Sequence, residues 1–157
     1  MTEIPLPGAP APAFTLPRDG GGSVSLSDFA GRKLVLYFYP KADTPGCTKE
    51  AIAFNRLRAE FARADTDILG VSADPVAKQD KFKTKYDLEI PLASDEATAM
   101  LAAYGVWGEK SMYGRKYMGI ERVTLLIGRD GTIAKVWPKV KVDGHPEEVL
   151  EAAKALA

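Results

Sequence analysis

The single cysteine of the chain, Cys47, stands in a sequence context that favours sulfur chemistry. It lies in the segment PKADTPGCTKEA, after a strongly apolar run and at the start of a predicted helix. Thr44 is placed as the N-cap and Pro45 fits the first helical position, so Cys47 falls in the first turn. Free backbone N–H groups and the positive end of the helix dipole favour an anion there. The pattern therefore predicts a Cys47 thiolate, which is the nucleophilic form of this side chain.

Two other interpretations of Cys47 follow from the sequence. Free cysteine is often buried and inert, so Cys47 could be a packing residue. Alternatively, it could be the nucleophile of a cysteine hydrolase with His145, the single histidine, as the base. His145 lies between Gly144 and Pro146 at a predicted helix start, which is more typical of a turn or capping residue. Gly46 carries no side chain next to the sulfur, so a small substrate could approach the backbone amides.

Strands and helices alternate around this cysteine. Residues 33–39 (KLVLYFY) are almost continuously apolar, which is typical of a central strand buried on both faces. Apolar residues at helical spacing predict a helix over 45–64. The other predicted elements are a hairpin of 14–16 with 24–26, a strand at 67–72, helices at 75–86, 96–104 (with Ser94 as N-cap) and 146–156, and a hairpin of 123–127 with 132–137. This order predicts an α/β fold with a central mixed sheet flanked by helices.

Composition narrows the classes of function. The 157 residues are 46% hydrophobic and 27% charged, which predicts one globular domain over residues 1–157. Basic and acidic residues balance at 21 each, so no nucleic-acid or membrane partner is expected. One cysteine and one histidine predict no intramolecular disulfide, no metal centre and no cofactor that needs such ligands. The N-terminal segment MTEIPLPGAPAPAF has no basic residue and no apolar core, so no secretory signal is predicted and a cytoplasmic location is expected.

The segment YFYPKADTPGCTKEA resembles the active-site segment of peroxiredoxins, whose pattern is Pro-x-x-x-Thr/Ser-x-x-Cys. Pro40, Thr44 and Cys47 fill its three positions. Together with MYGRKYMGIERVTLLIGRDGTI and KVKVDGHPEEVL, it is similar to the bacterioferritin comigratory protein (PrxQ) branch of the AhpC/TSA family. The resemblance implies a thioredoxin-like fold and reduction of hydrogen peroxide and organic hydroperoxides.

The resemblance also implies roles for individual residues. Arg122, in GIERVTLL, matches the family's active-site arginine and would stabilise charge on the sulfur and the leaving oxygen. The Thr44 hydroxyl would bond both thiolate and peroxide. Pro40 would shield the pocket from water, and Gly46 would leave room for substrate. Glu50 would orient Arg122 or a loop rather than transfer protons.

The sequence departs from the family pattern in the second half of the cycle. Many members of this branch have a resolving cysteine five residues after the first or in the next long helix, where this chain has Ile52 and Lys83. We therefore expect a cycle with one cysteine, completed by an external thiol such as thioredoxin, glutaredoxin or glutathione. A non-catalytic thioredoxin-fold interaction module is the remaining alternative. A monomer or a weak homodimer is expected, the latter through a predicted exposed patch of Trp107, Met112, Tyr113 and Tyr117.

Overall fold

The computed structural model describes residues 3–157, and its centre is a mixed five-stranded sheet. The strands of this chain are β1 (Thr15–Pro17), β2 (Ser23–Ser25), β3 (Lys33–Phe38), β4 (Thr66–Ser72), β5 (Leu92–Ser94), β6 (Trp107–Met112), β7 (Arg115–Ile120), β8 (Val123–Ile127) and β9 (Ile133–Trp137). The central sheet has the order β5-β4-β3-β8-β9. Its first three strands are parallel, and β8 and β9 run antiparallel to their neighbours. The predicted mixed sheet is confirmed.

Helices cover both faces of the sheet. They are α1 (Pro45–Arg63), α2 (Val76–Tyr86), α3 (Ala99–Ala103) and α4 (His145–Ala155), and a short 3₁₀ helix spans Leu26–Phe29. Residues of α1, α2 and α4 form one apolar cluster with one face of the sheet. The β1–β2 hairpin and α3 pack on the other face.

The central strand β3 shows why the sequence folds in this way. Side chains alternate between the two faces of a strand. Leu34, Leu36 and Phe38 therefore join the cluster on the α3 side, whereas Val35 and Tyr37 join the cluster beneath α1. Both sets are buried, which confirms the prediction that the continuous apolar run forms a strand covered on both faces. This strand leads directly into the segment that carries Cys47.

Two features of the second half differ from the sequence-based predictions. The predicted helix over 96–104 is only the five residues of α3, because Thr98 adopts a left-handed conformation with φ of 62°. Ser94 belongs to β5 rather than capping this helix, and the Asp95 carboxylate instead accepts a hydrogen bond from the Leu101 N–H over 2.9 Å.

The sequence analysis also did not predict β5 or the separate β6–β7 hairpin. In this hairpin Lys110 pairs with Tyr117, and the tip residues Tyr113 and Gly114 have positive φ angles of 51° and 77°. Two consecutive positive φ values are typical of a two-residue hairpin turn. Met112, Tyr113 and Tyr117 are exposed, as the predicted patch requires, but Trp107 is partly buried against the core.

Within residues 3–157, no helix is long and apolar enough to span a membrane.

Candidate active site

Cys47 lies in the first turn of α1, as predicted, with Pro45 as the first helical residue. The preceding loop is fixed by the Ala42 N–H, which donates to the Asp74 carboxylate over 2.7 Å. The Thr48 N–H donates to the Thr44 carbonyl over 2.8 Å and so closes the first turn. Cys47 is a free thiol, and only 1% of its surface is exposed.

Arg122 brings a fixed positive charge to this sulfur. It lies between β7 and β8, where the Glu121 N–H donates to the Val106 carbonyl and the Val140 N–H donates to the Arg122 carbonyl. Its Nη2 donates to the Cys47 Sγ over 3.3 Å. Its Nη1 donates to the Glu50 Oε1 over 2.8 Å. One guanidinium therefore bridges a sulfur and a carboxylate that lie one helical turn apart on α1.

Glu50 is fully buried, and its ion pair with Arg122 connects α1 to the β7–β8 segment. Burial raises the pKa of Glu50 to about 7, although the attraction of Arg122 and its hydrogen bond oppose this shift. Burial would lower the pKa of Arg122, but the charges of Glu50 and Cys47 and their hydrogen bonds raise it overall. Arg122 therefore stays charged, while Glu50 titrates near neutral pH. The expected contact between Glu50 and Arg122 is present.

The structure does not show the hydrogen bonds predicted for the Thr44 side chain. Thr44 is the N-cap by position, with an extended backbone, but its side chain makes no capping hydrogen bond. Its hydroxyl instead donates to the Lys41 carbonyl over 2.7 Å. The loop turns back at Asp43, which has a φ of 62°, and this turn places the Lys41 carbonyl within reach of the hydroxyl. Thr44 therefore occupies the predicted N-cap position, but its hydroxyl is hydrogen-bonded neither to the helix backbone nor to Cys47.

Gly46 is in close contact with the arginine. A Cβ atom at this position would lie 3.2 Å from the Arg122 Nη2, so the guanidinium occupies the space that a side chain would fill. The missing side chain thus makes room for Arg122, and its role in leaving space for a substrate stays a prediction. Pro40 is half-buried in the loop between β3 and α1, and its proposed shielding of the pocket stays a prediction.

His145 is the first residue of α4 and is buried in the core. Its Nε2 shares a hydrogen bond of 2.8 Å with the Thr124 hydroxyl, and its ring packs edge-on against Phe54 and Trp137. Burial lowers the pKa of His145 to about 4. It makes no hydrogen bond to Cys47 among the described residues, so the geometry gives no support to a Cys–His hydrolase.

Two buried residues of the site, Tyr37 and Thr48, were not identified from the sequence. Among the described residues, the buried side-chain oxygens without a hydrogen-bond partner include Tyr37 Oη, Thr48 Oγ1 and Glu50 Oε2. Tyr37 lies beneath α1, where its ring stacks on Phe54. Burial, together with the charges of Tyr39, Glu50 and Cys47, raises its pKa, so it stays a neutral phenol. Its place on the α1 side could have been inferred from the alternation of β3.

The described residues contain no group of three or more His, Cys, Asp or Glu side chains that could hold a metal ion. At the start of α1, Arg122 is the charged group that contacts both the Cys47 sulfur and the Glu50 carboxylate.

Comparisons with known proteins identify the family and the fold of this chain. Residues 7–136 match the AhpC/TSA family. The chain is 50% identical over 143 residues to a putative peroxiredoxin bcp of Coxiella burnetii, which covers 91% of this chain and 95% of that protein. It is 45% identical over 150 residues to peroxiredoxin Bcp of Bacillus subtilis, with 96% of each chain covered.

A solved structure of the bacterioferritin comigratory protein of Xanthomonas campestris superposes with a TM-score of 0.88 at 45% identity, covering 97% of this chain and 96% of that one. It is described as giving insight into the alkyl peroxide reduction activity of that protein. The structure of BcpB from Mycobacterium tuberculosis has a TM-score of 0.85 at 35% identity, with 96% and 97% covered. The predicted thioredoxin-like peroxiredoxin fold is confirmed by these similarities.

Proposed function

The chain belongs to the AhpC/TSA family and is a thiol-dependent peroxidase, and we propose that Cys47 is its single redox centre. The observation that carries the proposal is the hydrogen bond of 3.3 Å from Arg122 to the buried Cys47 sulfur. This contact sets a fixed cation and a rigid N–H donor against the sulfur that would attack the peroxide.

In the oxidative step the Cys47 thiolate attacks one oxygen of a hydroperoxide, and the O–O bond breaks. The sulfur loses two electrons and becomes a sulfenic acid, while the other oxygen leaves as hydroxide or alkoxide and takes up a proton. The Arg122 Nη2 donates to the sulfur, and the guanidinium would stabilise the charge as it moves to the leaving oxygen. Glu50 holds that guanidinium in place through Oε1.

Thr44, Gly46 and Pro40 complete the proposed peroxide pocket. The Thr44 hydroxyl would have to leave the Lys41 carbonyl in order to bond the peroxide. Gly46 leaves the space next to Arg122 free of a Cβ atom. Hydrogen peroxide and organic hydroperoxides are the proposed substrates, and the activity described for the Xanthomonas relative supports the second class.

The reductive half of the cycle needs an external thiol in this proposal. Lys83 stands at one of the two positions where many members of this branch have a resolving cysteine, and its ammonium group donates to the Asp19 carboxylate over 2.7 Å. Ile52, at the other position, is likewise unable to form a disulfide. An incoming thiol would displace water from the sulfenic acid to give a mixed disulfide, and a second thiol would release Cys47. Thioredoxin, glutaredoxin and glutathione are the candidate reductants.

Burial of the sulfur implies a conformational step before reduction. A peroxide is small, whereas a thiol reductant is larger and must approach the sulfur in line. Because Cys47 is only 1% exposed, we propose that the first turn of α1 opens after oxidation and presents the sulfenic acid. We further propose a cytoplasmic enzyme that is a monomer or a weak homodimer.

The test is chemical labelling of Cys47. One equivalent of hydrogen peroxide followed by a sulfenic-acid probe should label Cys47 stoichiometrically, and intact mass should show the addition of a single probe. The Cys47→Ser variant is the matched control and should not be labelled. A wild-type mass unchanged by peroxide and probe would refute the proposal.

A further inference from the structure

A buried polar network holds the β3–α1 loop, which we define as residues 39–44. Its members are Ser72 at the end of β4, Asp74 two residues later, and Gln79 in α2, all of which are buried. The Ser72 hydroxyl donates to the Asp74 Oδ2 over 2.8 Å and accepts from the Gln79 Nε2 over 2.8 Å. The Gln79 Nε2 also donates to the Ala93 carbonyl of β5 over 3.0 Å. The network is therefore anchored in two strands of the central sheet and in one helix.

This network is attached to the β3–α1 loop at two residues. The Tyr39 hydroxyl donates to the Gln79 Oε1. The Ala42 N–H donates to the Asp74 Oδ2 over 2.7 Å. The chain then continues through Thr44 into the first turn of α1. The place where the network holds the loop therefore determines where this turn begins.

Asp74 is a buried carboxylate without a cationic partner. Only 8% of its surface is exposed, and no ion pair between residues 3 and 157 includes it. Burying a charged group is costly unless hydrogen bonds satisfy it. Its Oδ2 accepts two of them, and the shorter one comes from the Ala42 N–H. Hydrogen bonds to an ionised acceptor are short and strong, so this is a firm attachment of the loop.

The β3–α1 loop has a second contact with α2 at its surface. The Asp43 carboxylate accepts hydrogen bonds from Lys85 and Tyr86. The ion pair of Asp43 with Lys85 is exposed, and such pairs contribute little to stability. The buried carboxylate of Asp74 is therefore the stronger of these two holds.

We propose that Asp74 is a positioning residue for peroxide reduction, which holds the Ala42 N–H and thereby sets the place of the Thr44 hydroxyl and of the Cys47 turn. This inference rests on the proposed function, because it concerns the same loop and the same sulfur. In the part of the chain that the structure describes, Asp74 makes no hydrogen bond to Cys47 or Arg122. It therefore acts on the sulfur through the loop.

The experiment compares two substitutions at Asp74 with a matched control. Asp74→Ala removes the acceptor of the Ala42 N–H, whereas Asp74→Asn keeps one acceptor oxygen. The control is Asp95→Ala. Asp95 is also a buried carboxylate outside the ion pairs of residues 3–157, and it accepts the Leu101 N–H over 2.9 Å. Its partner belongs to α3, which packs on the face of the sheet opposite to Cys47. Circular dichroism and urea unfolding verify that each variant is folded in the assay.

Two rate constants are measured for each protein. Single-turnover stopped flow gives the second-order rate constant for oxidation of Cys47 by hydrogen peroxide. Loss of free thiol over time gives the rate constant for alkylation of Cys47 by iodoacetamide. Alkylation needs the sulfur but not the geometry that aligns a peroxide with it. The ratio of the two rate constants therefore separates positioning of the loop from a change in the sulfur itself.

We expect oxidation to be about tenfold slower in Asp74→Ala. A misplacement of about 1 Å can lower a rate by about 100-fold, and the loop keeps its contacts at Tyr39 and Asp43, so the effect should be smaller than this. Alkylation should be as fast as in the wild type or faster, because a loosened loop exposes a sulfur that is now buried. Asp74→Asn should stay within about threefold of the wild type and Asp95→Ala within about twofold.

An oxidation rate for Asp74→Ala within about twofold of the wild type would overturn this inference alone. Equal oxidation rates for the two Asp74 variants, an equal fall in the alkylation rate, or an equal loss of oxidation in Asp95→Ala would do the same. A wild-type Cys47 that hydrogen peroxide does not oxidise would overturn the proposed function as well.

Discussion

Replacing Arg122 tests the charge balance at Cys47. Lysine keeps a positive charge but has one donor nitrogen in place of the two, Nη2 and Nη1, with which Arg122 contacts the Cys47 sulfur at 3.3 Å and the Glu50 carboxylate at 2.8 Å, so one contact is expected to be lost or lengthened. A hydrogen bond to a charged group contributes about 2 kcal/mol. Its loss from the transition state converts to about a 30-fold lower rate at 25 °C, since about 1.36 kcal/mol is a factor of ten.

Arg122→Gln should have a larger effect because it also removes the charge. Two unit charges at the 3.3 Å separation of Nη2 and Sγ interact by about 5 kcal/mol at an effective dielectric constant of about 20. Part of this energy is lost to desolvation, so we expect a decrease of about 100-fold to 1,000-fold.

The assay is the second-order rate constant for oxidation of Cys47 by hydrogen peroxide, measured by stopped flow in a single turnover. Arg63→Lys is the matched control, because Arg63 is exposed near the end of α1 and should leave the rate unchanged. A rate for Arg122→Lys within twofold of the wild type would refute the role of the guanidinium. So would equal rates for the lysine and glutamine variants.

Three further substitutions test Glu50 and Gly46 beside Arg122 and the buried His145. Glu50→Gln should remove an ionisation near pH 7 from the pH profile of the oxidation rate, because burial raises the pKa of Glu50 to about 7; an unchanged profile would contradict this assignment. Gly46→Ala should lower the oxidation rate several-fold, because the added Cβ would meet the Arg122 guanidinium at 3.2 Å, whereas Gly128→Ala should not. His145→Gln should leave the oxidation rate unchanged. In this variant the free energy of unfolding should fall less on acidification than in the wild type. In the folded wild type the pKa of His145 is about 4, whereas its ordinary value is 6.5. Between these pH values the unfolded state binds a proton that the folded state does not, so the free energy of unfolding falls as the pH drops from about 6.5 towards 4. Urea unfolding at several pH values measures this decrease.

The first half of the fold could be predicted from local patterns. The run over 33–39 and the apolar spacing over 45–64 each correspond to one element, β3 and α1, with ends that differ by one residue at most. Both elements could be predicted because each pattern depends only on which side chains of that same segment are buried. Shorter elements gave weaker signals: β5 has three residues, and the β6–β7 hairpin is mostly exposed and lacks a clear alternation of apolar residues.

The site was predicted only in part. Cys47 at a helix start follows from the residues around it, but Arg122 is 75 positions away and was identified through the family resemblance. The N-cap position of Thr44 was also predicted correctly, but the sequence does not reveal that its hydroxyl donates to the nearby Lys41 carbonyl. The raised pKa of Glu50 depends on complete burial, which a charged residue in a helix does not reveal in sequence.

The most direct test of the account is the amount of peroxide that each chain consumes without an added thiol. Fully reduced protein is mixed with an excess of hydrogen peroxide, briefly enough to avoid further oxidation of the sulfur, and the loss of peroxide is measured per chain. The account predicts one equivalent consumed, no disulfide-linked dimer on a non-reducing gel, and multiple turnovers once a thiol is added. No consumption of peroxide, or a disulfide between two chains that forms without added thiol and sustains turnover, would contradict it.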